Sequence, residues 1–238
     1  MPPTGFIDPA GLDRSLAALP DGSGEGDLMA TLEQVMAVTR ELFDATGCGL
    51  MLLDDSSVLA AVAATDEPGR LMEVRQEKQG HGPCVDALTF DRTVTARDAP
   101  TDERWPGLRD LVEVGVHAVL GVPLHANHVP VGSLNVYRDR PHDWDETEVS
   151  ALTRYAAVVE GVLQTALHAR GREQLVEQLQ HALDHRVVIE RAVGMIMGRQ
   201  NINAVDAFNQ LRRRARSTQR VVADVAGEML AEIPGNPD

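Results

Sequence analysis

The chain has 238 residues, 43% of them apolar, which is enough to fill two modest cores rather than one large one. Its 22 basic and 36 acidic side chains leave a formal charge of −14, and aromatics make up only 3%, so any nucleic-acid contact must rest on arginine and backbone rather than on aromatic stacking platforms. Two cysteines without a CxxC pair exclude a disulfide framework and a zinc knuckle; with no long apolar run and no basic, apolar leader in MPPTGFIDPAG, a soluble cytoplasmic protein without membrane contact is expected.

Residues 1–26 are rich in Pro, Gly and Asp and predict a flexible lead-in. Leu28, Leu32, Val35, Met36, Val38, Leu42 and Phe43 then recur at helical steps until Thr46-Gly47. Strands are expected at 49–53 and 58–64, with DDSS between them as a hairpin turn. Helical stretches near 67–79, 83–89 and 104–114 surround a short strand at 93–96, and two more strands follow at 118–124 and 131–137. A long helix opens near Asp143 or Asp145, where Asp-x-x-Glu has capping-box spacing, and runs past residue 165. Strands joined by short turns argue for an α+β fold with an antiparallel sheet flanked by helices. LLDD at 52–55 resembles the acidic strand end of a phosphoacceptor receiver, but that fold needs repeated strand-helix units and a lysine after a late strand. The only lysine here is Lys78.

On the long helix Val149, Leu152, Ala156, Val159, Leu163 and Ala166 form one stripe, and after Gly171 a second starts in shifted phase with Leu175, Leu179 and Ala182. Paired stripes of this kind suit a parallel coiled coil, so a homodimer through this helix is expected; packing against the chain's own domain is the alternative.

The strongest signal lies in the last fifth. Residues 170–220 hold ten Arg against five acidic residues, leaving a balance of −19 elsewhere, an asymmetry that suggests an arm meeting a polyanion. Three helical pieces are read there, from Leu179 through Ile196, Ala204 to about Arg216, and about Arg220 to Ile233, with Asn203 as N-cap and Asp206 in the first turn. Ala204, Ala207, Phe208, Leu211 and Ala215 share one face of the second piece; Arg213 projects opposite, with Arg212 and Arg216 on one flank and Arg214 on the other, so the arginines are expected to face solvent. Val222, Val225, Ala226, Met229 and Ile233 form the matching stripe of the third. Stripes like these close only as a small bundle.

Catalytic signatures are missing. His125 and His128 are too close and too alone for zinc, His181 and His185 lack further partners, and neither a GxSxG elbow nor a GxxxxGK[ST] loop occurs. No enzymatic activity, metal site or cofactor is expected. Should the sheet domain hold a pocket, His81, Cys84, Trp105 and Asn135 are the candidate lining groups, for an unidentified small molecule.

GHGPCVDAL at 80–88, RWPGL at 104–108, GVHAVLGVPL at 115–124 and VGSLNVYRDRPHDWDETE at 131–148 resemble a GAF domain of the actinobacterial kind, over roughly residues 27–168. The resemblance implies a PAS-like sensor fold that binds a small molecule or mediates dimerisation. The Asn-Lys-x-Phe-Asp-Glu pattern that accompanies cyclic-nucleotide binding is missing. R-V-V-I-x-x-A-x-G-x-x-M-x-R from Arg186, then D-A-F-x-x-L-R-x-x-A and A-D-V-A, resemble an ANTAR domain over about 175–233. The implied organisation is a GAF–ANTAR regulator, with a helical linker at 169–182 and a short tail at 234–238.

The ANTAR resemblance implies dimeric binding of paired RNA hairpins in leader transcripts, preventing terminator formation. Ala192, Gly194, Ala207, Phe208, Leu211, Ala215 and Ala226 match positions that shape the bundle, and Arg186, Arg191, Arg199, Arg212, Arg213, Arg216 and Arg220 are the candidates for RNA contact. Many relatives carry lysine before the glycine where this chain has Val193, so another cation must serve. The sensor domain is expected to answer to a small molecule, a redox signal or an upstream signalling protein; rival readings are a helix-turn-helix DNA regulator and a protein-interaction sensor without nucleic acid.

Overall fold

A computed structural model describes residues 7–17, 28–54, 59–168, 174–218 and 220–231, with side chains at all of these except 168, 174–186 and 216. The chain divides into two compact units that adjoin at residues 172 and 173.

The first unit holds α1 (Pro9–Ala17), α2 (Leu28–Leu42), β1 (Gly47–Leu53), β2 (Leu59–Ala64), α3 (Glu67–Gln79), α4 (Pro83–Phe90), β3 (Val94–Ala96), a 3₁₀ segment (Pro106–Val114), β4 (Ala118–Ala126), β5 (Val129–Arg138) and α5 (Glu146–His168). The strands form one sheet in the order β2-β1-β5-β4-β3, with β5 antiparallel to both β1 and β4. Alternation along β5 sorts its side chains to two faces. Tyr137 packs with Met72 of α3 and Ala87 of α4, so Ser133 and Asn135 point to that side. Leu134 and Val136 point to the other, in register with Leu50 and Cys48 of β1 and with Val122 and Leu120 of β4. Helices α2 and α5 cover this second face. Both faces are dry, which is why these strands carry more continuous apolar runs than a half-solvated sheet would.

Four of the six stripe positions of α5 are buried inside this unit, while Val149 and Ala166 are half-buried. Leu152, Ala156, Val159 and Leu163 are at most 3% exposed, because the second face of the sheet needs a cover and each such side chain contributes about 1.5–3 kcal/mol on burial. Packing against its own domain, rather than a coiled coil, accounts for the stripe over this length. Residues 169–173 and the side chains of Leu175, Leu179, Ala182, His181 and His185 lie outside those described, as do residues 55–58, which include all of the DDSS turn but Asp54.

The capping box falls at Asp145: Glu148 N donates to Asp145 Oδ1 and Asp145 N to Glu148 Oε2, both at 2.9 Å. Glu148 also takes a hydrogen bond from Arg138 at 3.2 Å and contacts His142 Nε2 at 2.9 Å. Arg138 further donates to the carbonyls of Phe43 and Asp44. One almost wholly buried ion pair thus ties the end of α2, the end of β5 and the start of α5.

Three expectations differ. The lead-in contains α1, with Ile7 and Leu12 buried; its Pro sits in the first turn where a missing N–H costs nothing, and Asp8 Oδ2 accepts from Gly11 N at 2.9 Å. Helix α2 ends at Leu42, where Asp44 adopts φ 45°, short of Thr46. The stretch before β4 is 3₁₀ rather than α.

The second unit is a bundle of α6 (Gln174–Gln200), α7 (Ala204–Thr218) and α8 (Val222–Ala231). Its core joins Ile189, Ala192 and Ile196 to Ala207, Leu211 and Ala215 and to Val222, Val225 and Ala226, with Phe208 and Met229 packed at the edge. Asn203 caps α7: Asp206 N donates to Asn203 Oδ1 and Asn203 Nδ2 to Asp206 Oδ2, each at 2.9 Å. Among the described residues no helix is long and apolar enough to cross a membrane.

His125 of β4 clasps α5 to the sheet. Its Nδ1 lies 2.8 Å from Glu160 Oε1 and its Nε2 2.7 Å from Asp91 Oδ1, at the end of α4. Burial lowers its pKa, but the hydrogen bonds to Glu160 and Asp91 outweigh burial and leave it raised above the ordinary 6.5. The clasp therefore contributes fully below that ordinary value and is lost as pH rises through the raised one. Urea midpoints of wild type and His125→Gln should differ most near pH 6 and converge toward about pH 9; a difference that stays constant with pH would count against the clasp.

Candidate functional site

Two sets of residues stand out for chemistry, one in each unit. In the first unit a polar row crosses the apolar sheet on the α3–α4 side. Asn135 sits on β5 between Gly49 of β1 and Gly121 of β4. Its Nδ2 donates to Gly49 O at 3.1 Å and to Glu73 Oε1 of α3 at 3.2 Å. A Cβ at position 49 would lie 1.9 Å from Glu73 Oε1, so glycine is what lets the carboxyl reach the strand. One turn along α3, Gln76 accepts from Cys84 N at 2.8 Å and donates to Cys84 Sγ at 3.2 Å. The α3–α4 connection makes this possible through Gly82, at φ 149°, whose absent side chain leaves room for the Gln76 amide. Glu73, Gln76, Cys84, Ser133 and Asn135 are all fully buried.

Burial, foremost, holds the Glu73 carboxyl well above the ordinary carboxylate range, with the Asn135 amide working against it and the Asp66 charge with it. Burial likewise pushes the Cys84 thiol up to about 12, the Glu73 charge adding to it. Such a thiol is a poor nucleophile and a poor redox sensor at neutral pH. Cys48, in register with Val136, belongs to the opposite face, so the two free cysteines are not disulfide partners.

The sequence candidates divide. Cys84 and Asn135 join the row, whereas Trp105 donates from Nε1 to Asp86 Oδ2 at 2.9 Å, with Arg104 stacked 4.1 Å over its ring. The charge of half-buried His81 also bears on Asp86. Glu73, Gln76 and Ser133 are additions to the sequence candidates. Polar residues two apart in an otherwise apolar strand, Ser133 and Asn135, are the available signal; Glu73 and Gln76 sit in a helix whose polarity resembles ordinary solvent exposure. Among the described residues no group of His, Cys, Asp or Glu is arranged to hold a metal ion.

In the second unit the arginines divide as well. Arg191, Arg199, Arg213 and Arg214 are exposed, and so is Arg220, which forks onto Glu228 with two 2.6 Å contacts. Arg212 departs from its expected solvent-facing position: it is 5% exposed, since it follows Leu211 by one residue and so borders the apolar stripe. The side chains of Arg186 and Arg216 lie outside those described. Of the residues expected to shape the bundle, Gly194 alone is exposed, and a Cβ there or at Gly198 would meet nothing within 4 Å. Val187, Arg191, Gly194 and Gly198, at steps of four, three and four, make one open face of α6 turned away from the core.

The state of Glu73 has a measurable consequence. A carboxyl whose folded pKa exceeds its unfolded value contributes stability below about pH 4.3 that is lost as pH rises toward the folded value. Glu73→Gln, which cannot ionise, should raise Tm at pH 7 and gain more at pH 8 by calorimetry, whereas a pH-independent gain would contradict a buried neutral acid.

A GAF domain model matches residues 27–163 and an ANTAR domain model residues 177–230. No curated protein sequence matches the chain. The fold is similar to that of a domain of a putative two-component sensor histidine kinase from Sinorhizobium meliloti 1021, at 18% identity over 63% of this chain and 100% of that one, TM-score 0.52. It is also similar to free methionine-R-sulfoxide reductase from Neisseria meningitidis, solved with its substrate, at 20% identity over 66% and 89%, TM-score 0.52. A GAF domain from a phosphoenolpyruvate-protein phosphotransferase of Coxiella burnetii matches at 18% identity over 66% and 94%, TM-score 0.52. Identities this low speak for the fold alone. With the GAF match spanning more than half of the chain and the ANTAR match following it, the chain belongs to the GAF domain family, in the GAF–ANTAR arrangement of a sensor domain followed by an RNA-binding antitermination domain.

Proposed function

We propose that this protein is a signal-responsive transcription antiterminator that binds paired RNA hairpins through its arginine face and is controlled by a small molecule taken up by the sheet domain. The observation that carries the RNA reading is the division of labour within the bundle. The apolar sides of α6, α7 and α8 are consumed by the core, while Arg191, Arg199, Arg213 and Arg214 remain exposed. Guanidinium groups fork onto phosphate and stack on splayed loop bases, which suits hairpin loops better than lysine would. On α6 the side-chain-free positions Gly194 and Gly198 beside Arg191 leave space for a nucleic-acid backbone to come close. Arg186, Arg216 and Arg220 complete the proposed set, Arg220 only after release from Glu228, whereas Arg212, 5% exposed, is left out of it.

Two hairpins call for two bundles, hence for a homodimer, and the buried stripe of α5 is not what joins the copies. A small molecule is favoured over a redox signal as the controller, because the high pKa of Cys84 keeps it a thiol. No catalytic role is assigned to either unit.

Both Arg213 and Arg214 are exposed, so replacing them with Ala should leave Tm unchanged. It should weaken binding to a tandem-hairpin RNA at least tenfold. The slope of log K against log salt should become shallower by about one for each phosphate that is no longer neutralised. Parallel titration with duplex DNA separates this from a DNA regulator. Unchanged RNA affinity in the double variant, or tighter binding to the duplex, would overturn the reading.

A further inference from the structure

The polar row under α3 and α4 has unmet hydrogen-bonding capacity of a definite kind. Glu73 Oε2 and Asn135 Oδ1 are buried without a hydrogen-bond partner, which costs on the order of 1–3 kcal/mol each; Ser133 Oγ is buried with no oxygen or nitrogen partner and has only the Cys84 thiol beside it. The partnered halves of the same side chains fix what each orphan offers. Asn135 Nδ2 is committed to Gly49 O, an obligate acceptor, and to Glu73 Oε1, so Asn135 Oδ1 is an acceptor. With Glu73 Oε1 accepting, the proton that burial keeps on this carboxyl belongs on Oε2, which is then a donor. Ser133, two residues from Asn135 on the same face of β5, can do either.

We propose that Glu73, Ser133 and Asn135, with Gln76 and Cys84 beside them, form a binding site for a small uncharged molecule with an amide-type edge, a carbonyl oxygen next to an N–H group, as in a lactam, a ureide or a primary amide. The carbonyl accepts from Glu73 Oε2, and the N–H donates to Asn135 Oδ1 or Ser133 Oγ. Anions are disfavoured by the charge of Asp66, which bears on Glu73, and by the cost of burying a charge. A cation would require Glu73 to ionise in a dry environment, against the cost of burying charge. This rests on the reading of the sheet domain as a small-molecule sensor and names the ligand class for it.

The test titrates the full chain with acetamide, 2-pyrrolidinone and uracil, a size series sharing the amide edge. 1,3-Dimethyluracil, whose N–H groups are blocked, and acetate and guanidinium, which are charged, serve as controls. At least one amide-edge probe should raise Tm with concentration, as mass action requires of a ligand that binds the folded state, and the controls should not. Glu73→Gln, with an amide donor where the acid proton sat, should keep the affinity, whereas Ser133→Ala and Asn135→Ala should lose at least tenfold. No stabilisation by any amide-edge probe, equal stabilisation by 1,3-dimethyluracil, or loss of binding in Glu73→Gln together with stabilisation by guanidinium would overturn the proposal. Hairpin-RNA affinity measured in the same samples keeps the two readings apart. RNA binding without probe binding sinks the ligand class alone, and probe binding that leaves RNA affinity unchanged sinks the sensor coupling while the site stands.

Discussion

A sheet buried on both faces can keep a polar side chain only if the covering helices supply its partner. Strand β5 imposes this constraint twice. On the α3–α4 side Asn135 demands something to receive its amide protons, and Glu73 reaches down over the bare Gly49 to do so. At the strand's end Arg138 demands carboxylate and carbonyl oxygens, and Glu148, Phe43 and Asp44 provide them. Breaking one partner of such a pair leaves the other uncompensated in a dry interior, typically a loss of about 3–5 kcal/mol for a buried charge. Helix placement on both layers is therefore specified by polar contacts, while apolar packing supplies the bulk of the driving force.

The same logic separates what could be read from the sequence from what could not. Strands β1, β4 and β5 follow from short apolar runs bounded by turn residues and the cap at Asp145 from local spacing, and both are written in neighbouring residues. The Asn203 cap and the face carrying Ala207, Leu211 and Ala215 are legible for the same reason. Helix α1 was hidden because Pro and Asp mean a helix start as readily as a loop, and only the long-range anchorage of Asp13 on Arg154 and of Ser15 on Tyr155 decides between them. The fate of the α5 stripe was ambiguous for a deeper reason: a stripe records that a face is buried, not by what. Glu73 was illegible because nothing in E-V-R-Q-E-K marks one glutamate as facing a sheet 62 residues away in sequence.

Charge is segregated along the chain, and the bundle tempers its own share of it. Among the described residues of the bundle five arginines are exposed, on a protein whose formal charge is −14, so an approaching polyanion meets attraction at the bundle and repulsion at the acidic sequence elsewhere. The Arg220–Glu228 fork engages one of these cations at no great gain in stability, because an exposed pair is screened by solvent. Such a weak internal pair is readily exchanged for a phosphate.

Helix α5 is held to the sheet along one side by Leu152, Val159 and Leu163 and pinned at two points, by Glu148 at the first turn and by Glu160, about two turns before its end, on His125. Turning it about its own axis would bring those apolar side chains into water, at roughly 1.5–3 kcal/mol for each, and would break both pins together. Sliding or tilting the helix along with the strands disturbs neither. Rotation of α5 in place is therefore the costly displacement, and shear along with the strands the cheap one.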